Sequence, residues 1–221
     1  MQRYRVAVFT ATLFSAITVQ AATPGLDESL ADVMHRWARI TYQTPEGDQK
    51  AALAQLVPAT EQLVQAYPGR AEALIWEAIV LSSEAKADGG LGALSKVKRA
   101  RQLLLDAEKI DPNALNGSIY SSLGSLYAKV PSWPIGFGDR KVAKGYFEKA
   151  LAISPDGIDA NYFYGEMLAG EGDYPQATRY LAKALGAPAR PGREDSDAGR
   201  RQEARVLLAS VKTEHDRRAR P

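Results

Sequence analysis

Covalent or acid–base chemistry needs a nucleophile, a base or a set of metal ligands, and this 221-residue chain is poor in all three. It has no cysteine and only two histidines, His35 and His215, near opposite ends of the sequence. Neither a Cys/His dyad nor a histidine pair for zinc can be assembled from that inventory. Gly89, Gly90 and Gly92 have the composition of a phosphate-cradling loop. No strand precedes them and no Lys followed by Ser or Thr completes the motif, so they read as a bend. Asp106 and Glu108 fall on the solvent side of a helical pattern, where a charged face is the default. What remains is binding. Residues 130 to 140, VPSWPIGFGDR, set Trp133, Ile135 and Phe137 among two prolines and two glycines, with no helical period to bury them. Those three side chains either fold back to seal a helical hairpin or form one wall of a site.

The elements that must hold such a loop are helices. Apolar residues recur at helical spacing through most of residues 22 to 221, and no stretch alternates as a strand does. The helix ends repeat. Ala100, Leu104, Ala107 and Pro112 are spaced 4, 3 and 5 apart, and so are Ala143, Phe147, Ala150 and Pro155. Ala177, Leu181 and Ala184 follow the same rule, with Pro188 one residue early. The helix before each copy carries a large residue, a small one four later and a large one three later. Leu74, Ala78 and Leu81 fit, as do Tyr120, Gly124 and Tyr127; in the third unit Gly165 and Leu168 fit while Asn161 takes the first place. Small residues let two helix backbones approach, large ones interdigitate around the contact, and proline stops the second helix.

This pattern resembles the tetratricopeptide (TPR) repeat. The resemblance implies an all-α short solenoid of about nine helices with no sheet, whose first helices line a concave groove. Relative to the repeat, the first unit carries ten extra residues between Ala78 and Ala100, and the second seven between Gly124 and Ala143. Such insertions are loops or helix extensions at one end of a hairpin. Residues 22 to 69 read as an N-terminal helical pair, with Leu30, Val33, Met34 and Trp37 on one face and Leu53, Leu56, Leu63 and Val64 on another; Pro58 is expected to kink or divide the second helix. Residues 70 to 187 hold three degenerate TPR-like hairpins, residues 188 to 196 a linker, and residues 197 to 221 a capping helix with a basic tail.

Residues 1 to 21 read as a cleaved secretory signal, with Arg3 and Arg5 before an apolar stretch and small residues at the cut. Subtracting those two arginines from 28 basic residues leaves 26 against 26 acidic ones. A neutral surface has no general attraction for nucleic acid or anionic lipid. Ala22 stands where a lipid-bearing cysteine would be, so a periplasmic or secreted product without a stable membrane anchor is expected. The loop around Trp133 and the segment from 156 to 165 resemble the T-component family associated with TRAP-type solute transporters, along residues 68 to 208. That resemblance implies a periplasmic solute-binding protein as partner. The expected function is an exported scaffold that docks a protein partner in its groove, with no enzymatic activity, cofactor or metal. The expected partner-binding residues are Tyr120, Ser121, Ser125, Trp133, Ile135, Phe137, Asn161, Tyr162 and Glu166. Two alternatives stand beside it. One is a carrier of a small apolar ligand in a pocket between the 131 to 139 loop and the groove; the other is a hydrolase using carboxylates alone.

Overall fold

A computed structural model describes residues 25–219, so the proposed export segment lies outside the described residues. Among them are nine α-helices and no strand: α1 (Leu26–Gln43), α2 (Glu46–Ala66), α3 (Ala71–Asp88), α4 (Gly90–Ile110), α5 (Ser118–Lys129), α6 (Arg140–Ile153), α7 (Ile158–Glu171), α8 (Tyr174–Leu185) and α9 (Glu194–Arg218). Local signals set several of these ends. The Asp139 side chain accepts the backbone N–H groups of Lys141 and Val142 to start α6, and Asp173 accepts that of Gln176 to start α8. Gly172, at φ 80°, stops α7 in the left-handed conformation that glycine adopts without strain.

The landmarks of the three hairpins all pack. Ala100, Leu104, Ala107, Ala143, Phe147, Ala150, Ala177, Leu181 and Ala184 are each at most 1% exposed. A Cβ placed on Gly124 would lie 2.7 Å from the Phe147 ring, and one on Gly165 would lie 2.9 Å from Leu181. The fold is therefore a TPR-like all-α solenoid, in which the small residue of each first helix accepts the large residue of its partner. The two insertions are realised differently. In the first hairpin they lengthen the helices, so α3 and α4 meet at a sharp turn in which Gly89 and Gly90 have φ of 64° and 62°. In the second they form the loop between α5 and α6.

Helix α2 runs undivided through Pro58, so the division that proline can cause does not occur. Pro58 and Ala54, whose carbonyl loses its helical donor, both face solvent, so the ring displaces nothing in the core and water can satisfy the carbonyl.

The inner helices α1, α3, α5 and α7 touch in succession, with α2, α4, α6 and α8 outside them. Helix α9 takes the next inner place, beside α7, and then meets α1. The inner row thus closes into a ring. Asp195 bonds His35 at 2.9 Å, and the Tyr42 ring lies so close across Gly199 that a Cβ there would sit 2.2 Å from it. The helix begins at Glu194, within the stretch expected as linker, and it forms an inner wall of the ring.

Candidate partner-binding cleft

The closing helix is held by charges. The Asp159 carboxylate accepts from the guanidinium groups of Arg190 at 2.8 Å and Arg200 at 2.9 Å. Arg190 also donates its backbone N–H at 3.0 Å and its Nε at 2.8 Å to Asp197, which is 1% exposed. Arg200 pairs with Glu203 and spreads over the rings of Tyr162 at 4.7 Å and Phe163 at 4.5 Å. Burial alone pushes the Asp159 carboxyl upward, but Arg200, Arg190 and Arg193 outweigh it and hold the group well below the usual carboxylate range. Burial also raises the phenols of Tyr42 and Tyr162, with Glu166 adding to the rise at Tyr162. Asp159 is therefore ionised at neutral pH, and the two phenols are protonated.

This seating leaves an open cleft of about 430 Å³ between α7 and α9, lined by Tyr162, Glu166, Gln202, Glu203, Val206, Leu207 and Ser210. A smaller hollow of about 150 Å³ continues between α5 and α7, past Ser125, Lys129, Phe163 and Glu166. Glu166 belongs to both, and Lys129 holds its carboxylate at 2.7 Å. Val206, one of the lining residues, is 62% exposed, an uncommon exposure for a branched aliphatic side chain. The two acids of the cleft, Glu166 and Glu203, are each matched to their own cation, Lys129 and Arg200. A hydrolase using carboxylates alone would need two acids converging in a closed cleft with raised acidity constants; Glu166 and Glu203 line an open one, and each has its own cation.

The residues expected to bind a partner divide into three groups. Ser125, Tyr162 and Glu166 line the clefts. Tyr120, Ser121 and Asn161 are buried. Tyr120 stacks on Tyr146 with ring centres 6.2 Å apart; the Ser121 hydroxyl donates to the Ser118 carbonyl; and the Asn161 amide donates to the carbonyls of Pro155 and Gly157 at 2.9 Å each. Asn161 therefore pins the turn before α7. The third group is the loop. Phe137 folds back against Tyr127, ring centres 5.2 Å apart, with the Arg101 guanidinium 4.3 Å from its centre. Trp133 and Ile135 do not seal the hairpin, being 86% and 66% exposed, and they line neither cleft. The pocket envisaged between Trp133 and Tyr162 is not formed by these residues. Gln202, Val206 and Ser210 escaped the sequence reading because a terminal helix rich in charge looks like a cap, and the charges that seat it are distant from Asp159 in sequence.

No family model matches the chain, and no curated protein matches it. Among solved structures, a thermophilic TPR protein of Thermus thermophilus is similar at a TM-score of 0.46 and 17% identity, over 86% of this chain and all of that one. PilF of Pseudomonas aeruginosa is similar at a TM-score of 0.34 and 18% identity, over 89% of this chain and 94% of that one. The TPR-like description rests on the packing of this chain's own hairpins.

Proposed function

We propose that the protein is a scaffold that docks a segment of a protein partner along the inner faces of α5, α7 and α9. The open cleft carries the reading. It offers Tyr162, Val206 and Leu207 to one or two apolar side chains and Gln202 and Ser210 as hydrogen-bonding groups, with Ser125 in the adjoining hollow. A few anchors in such a surface dominate binding, with polar contacts fixing direction. The resemblance of residues 68 to 208 to the T-component proteins of TRAP-type transporters names the class of partner, a periplasmic solute-binding protein. Export by residues 1 to 21 belongs to the same reading.

The test uses a photo-crosslinking residue placed at Val206 in the native host, with Lys183, exposed on the outer helix α8, as the comparison site. A defined protein adduct from position 206 and none from position 183 is expected. Equal labelling from both, or none from either, overturns the docking surface. An adduct that proves to be a protein other than a solute-binding protein keeps the surface and removes the transporter role.

A further inference from the structure

The loop between α5 and α6 is rigidly built and then left uncovered. The backbone N–H groups of Ile135 and Gly136 both reach the Ser132 carbonyl at 3.2 Å. That of Gly138 reaches Pro131 at 3.0 Å, and that of Asp139 reaches Tyr127 at 2.9 Å. At Gly136 and Gly138 the backbone doubles back so tightly that a Cβ would meet the carbonyl oxygens of Pro131 and Val130. Phe137 is the loop's anchor, against Tyr127 and Arg101.

On this frame Trp133 and Ile135 stand out in solvent, and Val142, in the first turn of α6, is 38% exposed. Five large apolar residues are exposed among the described residues, and three of them fall in this one short stretch. Apart from Asp139, which caps α6, the charged residues from 131 to 144 are all basic. The first turn of α6 holds Arg140 and Lys141 with no acid, and Lys144 follows one turn later. Cations at a helix N-terminus oppose the helix dipole, so helix stability does not account for them. Arg140 is shared with Glu171 at 3.3 Å, and Asp139 is occupied in capping. Lys141 and Lys144 have no carboxylate partner among the described residues.

We infer that this loop is a peripheral membrane-contact site, with Trp133 and Ile135 seated at the headgroup boundary of an anionic bilayer and Lys141 and Lys144 against its phosphates. A protein partner is a poorer fit. Two side chains on a protruding turn expose far less than the roughly 800 Å² per partner that a stable protein interface buries. A bilayer boundary accepts a protruding knob without a complementary hollow, and tryptophan favours that boundary because one part of its ring system is apolar and the other donates a hydrogen bond. Unpaired lysines add attraction to anionic headgroups. Among the described residues no helix is long and apolar enough to cross a membrane, so contact through this loop is superficial. It also leaves the α7/α9 cleft open, and the inference stands independently of the docking proposal.

Trp133 is the natural reporter, because Trp37 and Trp76 are buried at 6% and 1% exposure. The full-length chain is mixed with vesicles of phosphatidylcholine with and without phosphatidylglycerol, and emission and co-sedimentation are followed. A blue shift is expected on the anionic vesicles only, with quenching by lipids brominated near the headgroup. W133A/I135A should weaken vesicle binding about tenfold or more, and Lys141→Ala and Lys144→Ala about fivefold each, all with unchanged melting temperature because the side chains are exposed. Unchanged emission on anionic vesicles overturns the inference. So does W133A/I135A sedimenting like the parent, which would assign lipid binding to another segment, or a blue shift produced by a soluble protein partner and not by vesicles.

Discussion

Replacing Gly124 and Gly145 separately by alanine tests the hairpin register, because the two glycines differ in only one respect that matters. Both sit inside a helix, where alanine gains roughly 1 kcal/mol over glycine by intrinsic propensity. Around Gly145 nothing lies within 4 Å of a new Cβ, so the gain should appear undiminished. At Gly124 the new carbon would stand 2.7 Å from two carbons of the Phe147 ring and 3.0 Å from a third. Phe147 is fully buried, so its ring cannot move aside into solvent. Overpacking of this kind costs roughly 1 to 3 kcal/mol. The net expectation is a gain of about 1 kcal/mol at Gly145 and a loss of up to about 2 kcal/mol at Gly124. For a domain of this size 1 kcal/mol moves the melting temperature by about 2 to 4 °C. Thermal unfolding by circular dichroism should therefore place the two variants on opposite sides of the parent. If Gly124→Ala melts as high as Gly145→Ala, Phe147 does not pack over Gly124, and the pairing of α5 with α6 described above is wrong.

Asp159→Asn should cost about 2 to 3 kcal/mol in urea unfolding, below the value for a fully buried pair because Asp159 and Arg190 remain 20% and 29% exposed. It should also weaken partner capture at Val206, although Asp159 does not line the cleft, because it seats the helix that does. Acid should act on the same contacts. The carboxyls of Asp159 and Asp88 are both lower in the folded chain, Asp88 at about 2 through hydrogen bonds from Lys50 and Lys96. The stability they contribute is complete above the unfolded value of about 4 and is lost as pH falls toward the folded values. Urea midpoints measured from about pH 6 down to about pH 3 should fall, and fall less steeply in Asp159→Asn; a pH-independent midpoint counts against the ion-pair seat. Phe137→Ala should cost about 2 kcal/mol, less than a fully buried phenylalanine, while Trp133→Ala leaves the melting curve in place. The opposite ranking would mean that the loop seals through its tip.

The repeat was legible because packing imposes it locally. Each hairpin needs a small residue opposite a large one at fixed spacing, and Gly124 against Phe147 or Gly165 against Leu181 satisfies that need within one short stretch of chain. Positions inside the groove were less legible. Repeat register alone cannot separate Tyr162, which faces the cleft, from Asn161, whose amide is consumed by two carbonyls of the preceding turn. The Trp133 loop misled for another reason. Apolar character argues for burial, but burial depends on what the backbone permits, and the bonds to Ser132 and Pro131 aim Trp133 and Ile135 outward while turning Phe137 inward.

The closure by α9 could not be read because its determinants look like surface. Helical periodicity finds a wall through its apolar stripe, and the buried residues of α9 are Ser196, Asp197, Arg200, Ala204 and Val211, of which only two are apolar. Such a helix reads as a cap on the last hairpin until Asp159 is placed beside it. The consequence is physical as well as interpretive. A wall fastened by Asp159, Arg190, Asp197 and Arg200 adds charge geometry to the apolar packing of Ala204, Leu207, Leu208 and Val211. Charge pairs respond to pH and, where partly exposed, to salt, whereas the Phe147 and Leu181 contacts of the hairpins do not. The ring therefore joins hairpins set by packing to a closing wall set by packing and ion pairs together, and the candidate cleft lies along the seam between them, where α7 meets α9.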